Sequence, residues 1–222
     1  MKIQLLLLIG LTAGFTACPE QVDPGFTGNT PSLSGKIENW PAGKTGSIRI
    51  RINSPSATPT LGTSVAIATD GTFSKLVYPT PSATDLTTIV GCNSSGTVTV
   101  TPSDAKSASG SSAEILNSSG VLSGSVVQTN TAPPYTNTVV GFKGAFRVYV
   151  DKDVTINGVC NNSPSFTYNN LNLKAGWNLL IQSKTGATSS EAYNGPVPND
   201  FKFYFYNPGN SAPGTLNTRF FN

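Results

Sequence analysis

The sequence is dominated by short segments in which apolar and polar residues alternate. In the clearest of them, Ile48, Ile50 and Ile52 alternate with Arg49 and Arg51. A period of two places the isoleucines on one face of a β-strand and the arginines on the other. The two arginines form either a solvated outer face or a ligand-binding pair. No segment shows the 3.6-residue period of an amphipathic helix, so the chain is predicted to be all-β.

Strand-like runs recur at intervals of roughly ten residues and are separated by clusters of Gly, Asn, Ser and Pro, as in β-sandwiches and barrels. We predict strands at residues 33–37, 46–53, 63–69, 72–78, 87–90, 96–101, 113–116, 121–128, 137–142, 145–150, 154–157, 166–173, 177–183, 200–206 and 218–221. The preferred architecture is one antiparallel β-sandwich domain over residues 33–222. The alternative is two smaller β-sandwiches with a boundary near residues 103–112, where small residues predominate.

Two hairpins are predicted from their turn residues. The dipeptide Asp70-Gly71 is typical of a type I′ turn, which requires positive φ at both central residues. The tripeptide Lys174-Ala175-Gly176 is a second turn signal. Each turn is expected to pair the two strand-like runs on either side of it.

The composition excludes several classes of function. Charged residues make up 11% of the chain, against roughly 25% in an average soluble domain. The formal net charge of +3 is too small to predict binding to nucleic acid. The chain has no histidine, which removes the commonest general base, the commonest zinc ligand and the Ser-His and Cys-His pairs. An enzyme is therefore not predicted, and a hydrolase that uses carboxylates or a Ser-Lys pair is the third interpretation.

Residues 1–17 have the organisation of a secretory signal peptide. Lys2 supplies a positive charge, and an apolar stretch over residues 5–15 is shorter than the roughly 20 residues of a membrane span. The segment Phe15-Thr16-Ala17-Cys18 resembles the lipobox of bacterial lipoprotein precursors, with Phe15 where an aliphatic residue is usual. The resemblance implies that Cys18 is lipidated and begins the mature chain, which would anchor it to a membrane. The alternative is ordinary signal cleavage near Ala17.

The three cysteines fit the same interpretation. If Cys18 carries lipid, Cys92 and Cys160 remain as an even pair in an oxidising compartment, where disulfides persist. We therefore predict a disulfide between them. Residues 18–32, rich in Pro, Gly, Thr and Asn, are interpreted as a flexible tether between the lipid and the folded part.

Asp151 and Asp153 are candidates for a calcium site, because they stand two residues apart after a predicted strand and Ca²⁺ binds oxygen ligands. The other acidic positions of an EF-hand loop are missing. The alternative is a polar strand end without metal, and no other cofactor is predicted.

Aromatic residues are the other candidates for ligand binding. Tyr204 and Tyr206 alternate with phenylalanines and would share one face of a strand, where Tyr149 and Trp177 would join them. An exposed aromatic platform can stack on sugar rings. The alternative is that the tryptophan lies in the core and the tyrosines only cover the sheet.

Four short segments are also similar to motifs in uncharacterised bacterial envelope lipoproteins. They are Trp40-Pro41-Ala42-Gly43, Asp70-Gly71-Thr72-Phe73-Ser74, the segment 149–154 and Gly176-Trp177-Asn178. No activity comes with this resemblance. The sequence predicts an exported, lipid-anchored envelope protein, periplasmic or surface-facing, with a structural or display role toward an envelope protein or a glycan. A carbohydrate- or other ligand-binding module is the alternative.

Overall fold

The structure is a computed structural model that describes residues 31–52, 58–92, 95–108, 111–133, 139–161 and 164–206. These residues form sixteen β-strands and one short 3-10 turn (Ala83–Asp85), without an α-helix. The strands are β1 (Ser32–Lys36), β2 (Gly46–Ile52), β3 (Thr60–Leu61), β4 (Val65–Ile67), β5 (Thr72–Val77), β6 (Leu86–Thr88), β7 (Thr99–Thr101), β8 (Lys106–Ala108), β9 (Ser111–Leu116), β10 (Leu122–Thr129), β11 (Lys143–Val150), β12 (Val154–Cys160), β13 (Ser165–Leu173), β14 (Gly176–Gly186), β15 (Ser189–Asn194) and β16 (Lys202–Tyr206). The predicted all-β class is confirmed. The predicted signal peptide, Cys18, nearly all of the tether and the predicted strand at 218–221 lie outside the described residues.

Fourteen of the described strands belong to one sheet, and β1 and β5 form a separate two-stranded sheet. The main path of the large sheet runs β3-β2-β9-β10-β11-β14-β15-β13-β12-β7, and β4, β6, β8 and β16 pair with strands on or beside it. The ladders between described strands are antiparallel, with the single exception of β13 and β15, which are parallel. The predicted, mostly antiparallel β-sandwich is therefore confirmed.

The hydrophobic core has two parts, which lie on opposite faces of β11 and β14. In β14, Leu179 and Ile181 belong to the first cluster, whereas Leu180 between them belongs to the second. In β11, Ala145 faces the first cluster and Val148 the second. Residues 177–181 of β14 are buried without a break, so this part of the strand is apolar except for Asn178 and does not alternate. The two clusters therefore share this pair of strands.

The interval 103–112 contributes strands to the large sheet. β8 pairs with β6 and β11, and β9 pairs with β2 and β10. Ala108 of β8 is 1% exposed and belongs to the first core cluster. β8 was not predicted, because its three residues, Lys106–Ala108, contain no alternation of large apolar side chains.

The turn at Asp70-Gly71 is present, but the predicted hairpin is wrong. Gly71 has a φ of +88° whereas Asp70 does not have a positive φ, and the Gly71 N–H donates to the Ala68 carbonyl at 2.9 Å. This pattern is a turn closed by a left-handed glycine rather than a type I′ turn. Beyond the turn the two strands diverge, because β4 pairs with β2 while β5 pairs with β1. The chain crosses here from the large sheet to the small one.

The hairpin predicted around Lys174–Gly176 is also wrong. The turn joins β13 to β14, but β15 lies between these two strands in the sheet and pairs with both of them. β15 was not predicted, because Ser189–Asn194 is mostly polar. Its buried positions, Ser190 and Ala192, carry small side chains, which give little strand signal in the sequence.

The predicted strand at 137–142 is wrong in its described part. Phe142 donates its N–H to the Val139 carbonyl at 3.1 Å, which closes a turn, and Val139 and Val140 are exposed. Two β-branched residues in a row suggested a strand, but no neighbouring strand pairs with them in the described part of the chain.

Gly71 is tightly enclosed by residues that follow β1. A Cβ placed on Gly71 would lie 2.6 Å from the Ile37 carbonyl oxygen and 2.8 Å from the Trp40 Cβ. Gly43 also has a positive φ, +72°, but a Cβ there would have no heavy atom within 4 Å. A side chain at either glycine would strain the backbone, but only a side chain at Gly71 would also clash with neighbouring atoms. Comparing substitutions at the two positions therefore separates the free-energy cost of backbone strain from that of the clash.

We expect Gly71→Ala to lower the free energy of unfolding by about 3 kcal/mol, because it adds a backbone clash to the left-handed strain. Gly43→Ala should cost only about 1 kcal/mol, from the strain alone. Urea denaturation of both variants and the wild type checks this. Equal losses in the two variants would contradict the packing described at Gly71.

Candidate functional site

One outward face of the large sheet carries most of the polar and aromatic residues considered for ligand binding. On β2 the three isoleucines are completely buried, so Arg49 and Arg51 lie on the opposite, outward face. On β16 the tyrosines Tyr204 and Tyr206 alternate with phenylalanines that pack against the first core cluster. Glu114 of β9 lies between these two strands. We call these five residues the Arg–Tyr face.

The register of the sheet sets four residues in one row across the strands. Arg49 pairs with Glu114, Glu114 pairs with Ser125, and Ser125 pairs with Tyr206. Neighbouring strands are about 4.8 Å apart, so Arg49 and Tyr206 are separated by roughly 14 Å along this row. The second arginine and the second tyrosine are each two positions further along their strands, in the adjacent row. The face therefore presents cations at one end and tyrosines at the other.

Glu114 binds both arginines. Arg49 donates from Nε and Nη2 to Glu114 Oε2 at 3.0 Å, and Arg51 donates from Nη1 to Oε1 at 3.2 Å. The Glu114 side chain is 7% exposed, whereas those of Arg49 and Arg51 are 25% and 38% exposed. One buried carboxylate between two partly exposed guanidinium groups leaves an excess of one positive charge on this surface.

Both guanidinium groups retain donors that Glu114 does not use. Arg49 reaches the carboxylate with Nε and Nη2, which leaves Nη1, and Arg51 reaches it with Nη1, which leaves Nη2. The Nε of Arg51 is buried and has no hydrogen-bond partner among the residues that the structure describes. Glu114 thus fixes the position of each guanidinium group without satisfying all of its donors.

The four aromatic residues predicted for a platform do not share one face. Tyr204 and Tyr206 are partly exposed on the Arg–Tyr face. Trp177 is only 2% exposed, and its ring packs edge-on against Tyr78 and Tyr149 with centroid distances of 4.8 and 5.6 Å. The platform interpretation of Trp177 is therefore wrong and the alternative, burial in the core, is correct. Tyr149 packs against the same core cluster and is not part of the Arg–Tyr face.

Asp151 and Asp153 use their carboxylates to fasten the β11–β12 turn. Asp151 Oδ1 accepts the Lys106 N–H at 2.7 Å. Asp153 accepts a hydrogen bond from the Lys174 ammonium at 2.7 Å and another from the Ala175 N–H at 2.9 Å. These two hydrogen bonds lower the pKa of its carboxyl group. Within the described ranges, no group of three or more His, Cys, Asp or Glu residues is placed to hold a metal ion. The hydrogen bonds give both carboxylates a structural role at the end of the strand.

The predicted disulfide between Cys92 and Cys160 is confirmed, with a Cα–Cα distance of 5.7 Å. Cys160 ends β12 and is buried in the second core cluster. Gly96 packs over the bond, since a Cβ there would lie 2.7 Å from the Cys92 sulfur and 2.4 Å from the Val159 carbonyl oxygen. The disulfide ties the segment after β6 to the edge of the second cluster.

Glu114 was not singled out from the sequence. A signal was present, because Glu114 stands between Ala113 and Ile115 in the same alternation as the arginines of β2. The partners are nevertheless 65 and 63 residues apart in sequence, and alternation does not say which strands pair. The ion cluster became visible only when β2 and β9 were placed side by side.

Comparisons with known proteins do not identify the chain. No protein-family model matches it, and neither the curated proteins nor the solved structures give a significant match. In the described ranges, no helix has the length and apolar character needed to cross a membrane. The function must therefore be argued from the residues themselves.

We expect Glu114→Gln to lower the free energy of unfolding by about 2 kcal/mol, because two partly buried guanidinium groups then face each other without a counter-charge. The matched control is Asp104→Asn, which removes the carboxylate of an exposed pair with Lys152 at 2.7 Å. The control should leave stability nearly unchanged, since exposed ion pairs contribute little. Thermal denaturation of both variants makes the comparison, and an unaffected Glu114→Gln would show that the cluster is not needed for stability.

Replacing both Cys92 and Cys160 with serine should lower the free energy of unfolding by roughly 4 kcal/mol, because the bond closes a loop between residues 68 apart in the unfolded chain. Denaturation with and without reductant is the measurement. The wild type should lose stability on reduction, whereas the double variant should not respond. A wild type that is insensitive to reductant would contradict the contribution assigned to the bond.

Proposed function

We propose that this protein is an exported cell-envelope protein that is anchored by lipid on Cys18 and displays its β-sandwich to a partner, with no catalytic role. The observation that carries the proposal is the disulfide between Cys92 and Cys160. Structural disulfides belong mainly to oxidising compartments. The bond also accounts for two of the three cysteines, which leaves Cys18 as the one thiol available for lipid.

Display requires reach from the membrane and a stable surface. The segment 18–32, rich in Pro and Gly, supplies the reach as a tether. The two-part core and the disulfide supply a rigid body. In this proposal the folded part stands in the periplasm or on the cell surface, where an envelope protein or a glycan is the partner.

A ligand-binding module is the second candidate function, and one observation favours it. Tyr204 and Tyr206 stand on the same face as Arg49 and Arg51, although β2 and β16 are distant in sequence. Cations and aromatic side chains that converge on one face of a sheet form a recognition surface rather than a random mixture of solvated residues.

Replacing Cys18 with serine tests the anchor. The variant should move from the membrane fraction to the soluble fraction, because it lacks the sulfur that would carry the lipid. Detergent-phase partitioning of labelled cells is the measurement. The double variant Cys92→Ser/Cys160→Ser is the matched control, since it also loses thiols but should remain in the membrane fraction. Unchanged partitioning of Cys18→Ser would contradict the proposal.

A further inference from the structure

We infer that the Arg–Tyr face binds a carboxylated polysaccharide, that is, a glycan chain that carries uronic-acid groups. The inference deepens the interaction role proposed above, because it names the chemistry of the partner. It rests on the proposed function in one respect, namely that the protein has a binding partner. It does not depend on the lipid anchor.

The first argument is charge complementarity. Arg49, Arg51 and Glu114 together leave one unbalanced positive charge. Lys202 at the end of β16 is exposed, and its ammonium lies 3.7 Å from the carboxylate of Glu38, so this rim pair is balanced. The excess charge is therefore located at the two arginines, and an anionic group is the ligand that it attracts.

The second argument is the geometry of the guanidinium group. The group carries five N–H donors in one rigid plane, so one nitrogen can bind a carboxylate while another nitrogen donates to a second. Arg51 is 38% exposed and reaches Glu114 with only one of its nitrogens. Its remaining outer nitrogen can donate to a second carboxylate from outside. Glu114 holds the guanidinium in place beforehand, so little side-chain entropy is lost on binding.

The third argument comes from the tyrosines. Tyr204 and Tyr206 are partly exposed on β16, which is an antiparallel neighbour of β10. A partly exposed tyrosine ring offers a flat apolar surface that can stack on the C–H face of a sugar ring. The hydroxyl oxygen of Tyr206 is buried, so Tyr206 can contribute only its ring. The roughly 14 Å between the arginine and tyrosine ends of the face is longer than one monosaccharide. A polymer can therefore engage both ends, whereas a single sugar cannot.

The test measures binding of the purified full-length chain in detergent to polygalacturonate by titration calorimetry at low salt. The same polymer with its carboxylates methyl-esterified is the matched ligand control. We expect polygalacturonate to bind and the ester to bind at least tenfold more weakly, because esterification removes the charge but keeps the sugar backbone. Raised salt should weaken binding of the acid form.

Variants then locate the site. Arg51→Gln should weaken binding about tenfold, as expected for loss of a charge-assisted hydrogen bond. Arg51→Lys should restore only part of the affinity, because one ammonium group replaces separate nitrogens for Glu114 and for the ligand. Tyr204→Ala should also weaken binding. Lys106→Gln is the control, since it removes an exposed cation on β8 away from the Arg–Tyr face. Circular dichroism of each variant establishes that the fold is retained.

Several results would overturn the inference. They are the absence of polygalacturonate binding at low salt, equal affinity for the methyl ester, and equal loss of affinity in Lys106→Gln and Arg51→Gln. Polyglutamate that binds as tightly, with the same dependence on Arg51, would assign the face to an acidic protein segment instead. Tighter binding of dextran sulfate would assign it to sulfated chains. None of these results affects the anchor, which the partitioning of Cys18→Ser tests separately.

Discussion

The pairing of β11 with β14 is the interaction on which the rest of the structure depends. Eight consecutive residue pairs join the two strands, from Lys143 with Ser183 to Val150 with Gly176. Both faces of the pair are covered, one by the first core cluster and the other by the second. The two core clusters are therefore joined through this pair of strands, and burial of apolar surface is the dominant favourable term in folding.

The chain has few charged residues, and their surroundings differ from one to another. Deep in the first cluster, Arg147 is 8% exposed and donates to the Oε1 of Gln128, which is equally buried. Asp85 is 1% exposed and accepts hydrogen bonds from Ser82 and Thr60. Such groups are enclosed by protein, because a buried polar atom is costly unless it is hydrogen-bonded. Arg49 and Arg51 differ from them, since they are held from beneath by a carboxylate and remain open to solvent. This difference is the reason why the Arg–Tyr face, rather than the buried charges, is proposed as the binding surface.

The candidate site was only partly visible in the sequence. Alternation alone showed that Arg49 and Arg51 lie on the same face of one strand. It also showed that Tyr204 and Tyr206 lie on the same face of a second strand. It did not show that these are one surface, because that follows from the order β2-β9-β10-β16, which joins segments far apart in the chain. Trp177 illustrates a choice that the sequence left open, between an exposed platform and the core. Its strand is central and its ring packs between Tyr78 and Tyr149, so the core interpretation is the correct one.

By itself the sequence determined the all-β class, the approximate positions of most strands, the inward face of each alternating strand and the pairing of Cys92 with Cys160. The period of two and the number of cysteines can be read from the sequence without knowing which strands are adjacent in the sheet. Only the tertiary structure decided which strands pair. The turns at Asp70-Gly71 and Lys174–Gly176 have hairpin chemistry, yet the strands on either side take other partners. The physical reason is that a turn fixes the direction of the chain over a few residues, whereas the partner of a strand is set by which arrangement buries apolar surface over the whole sheet.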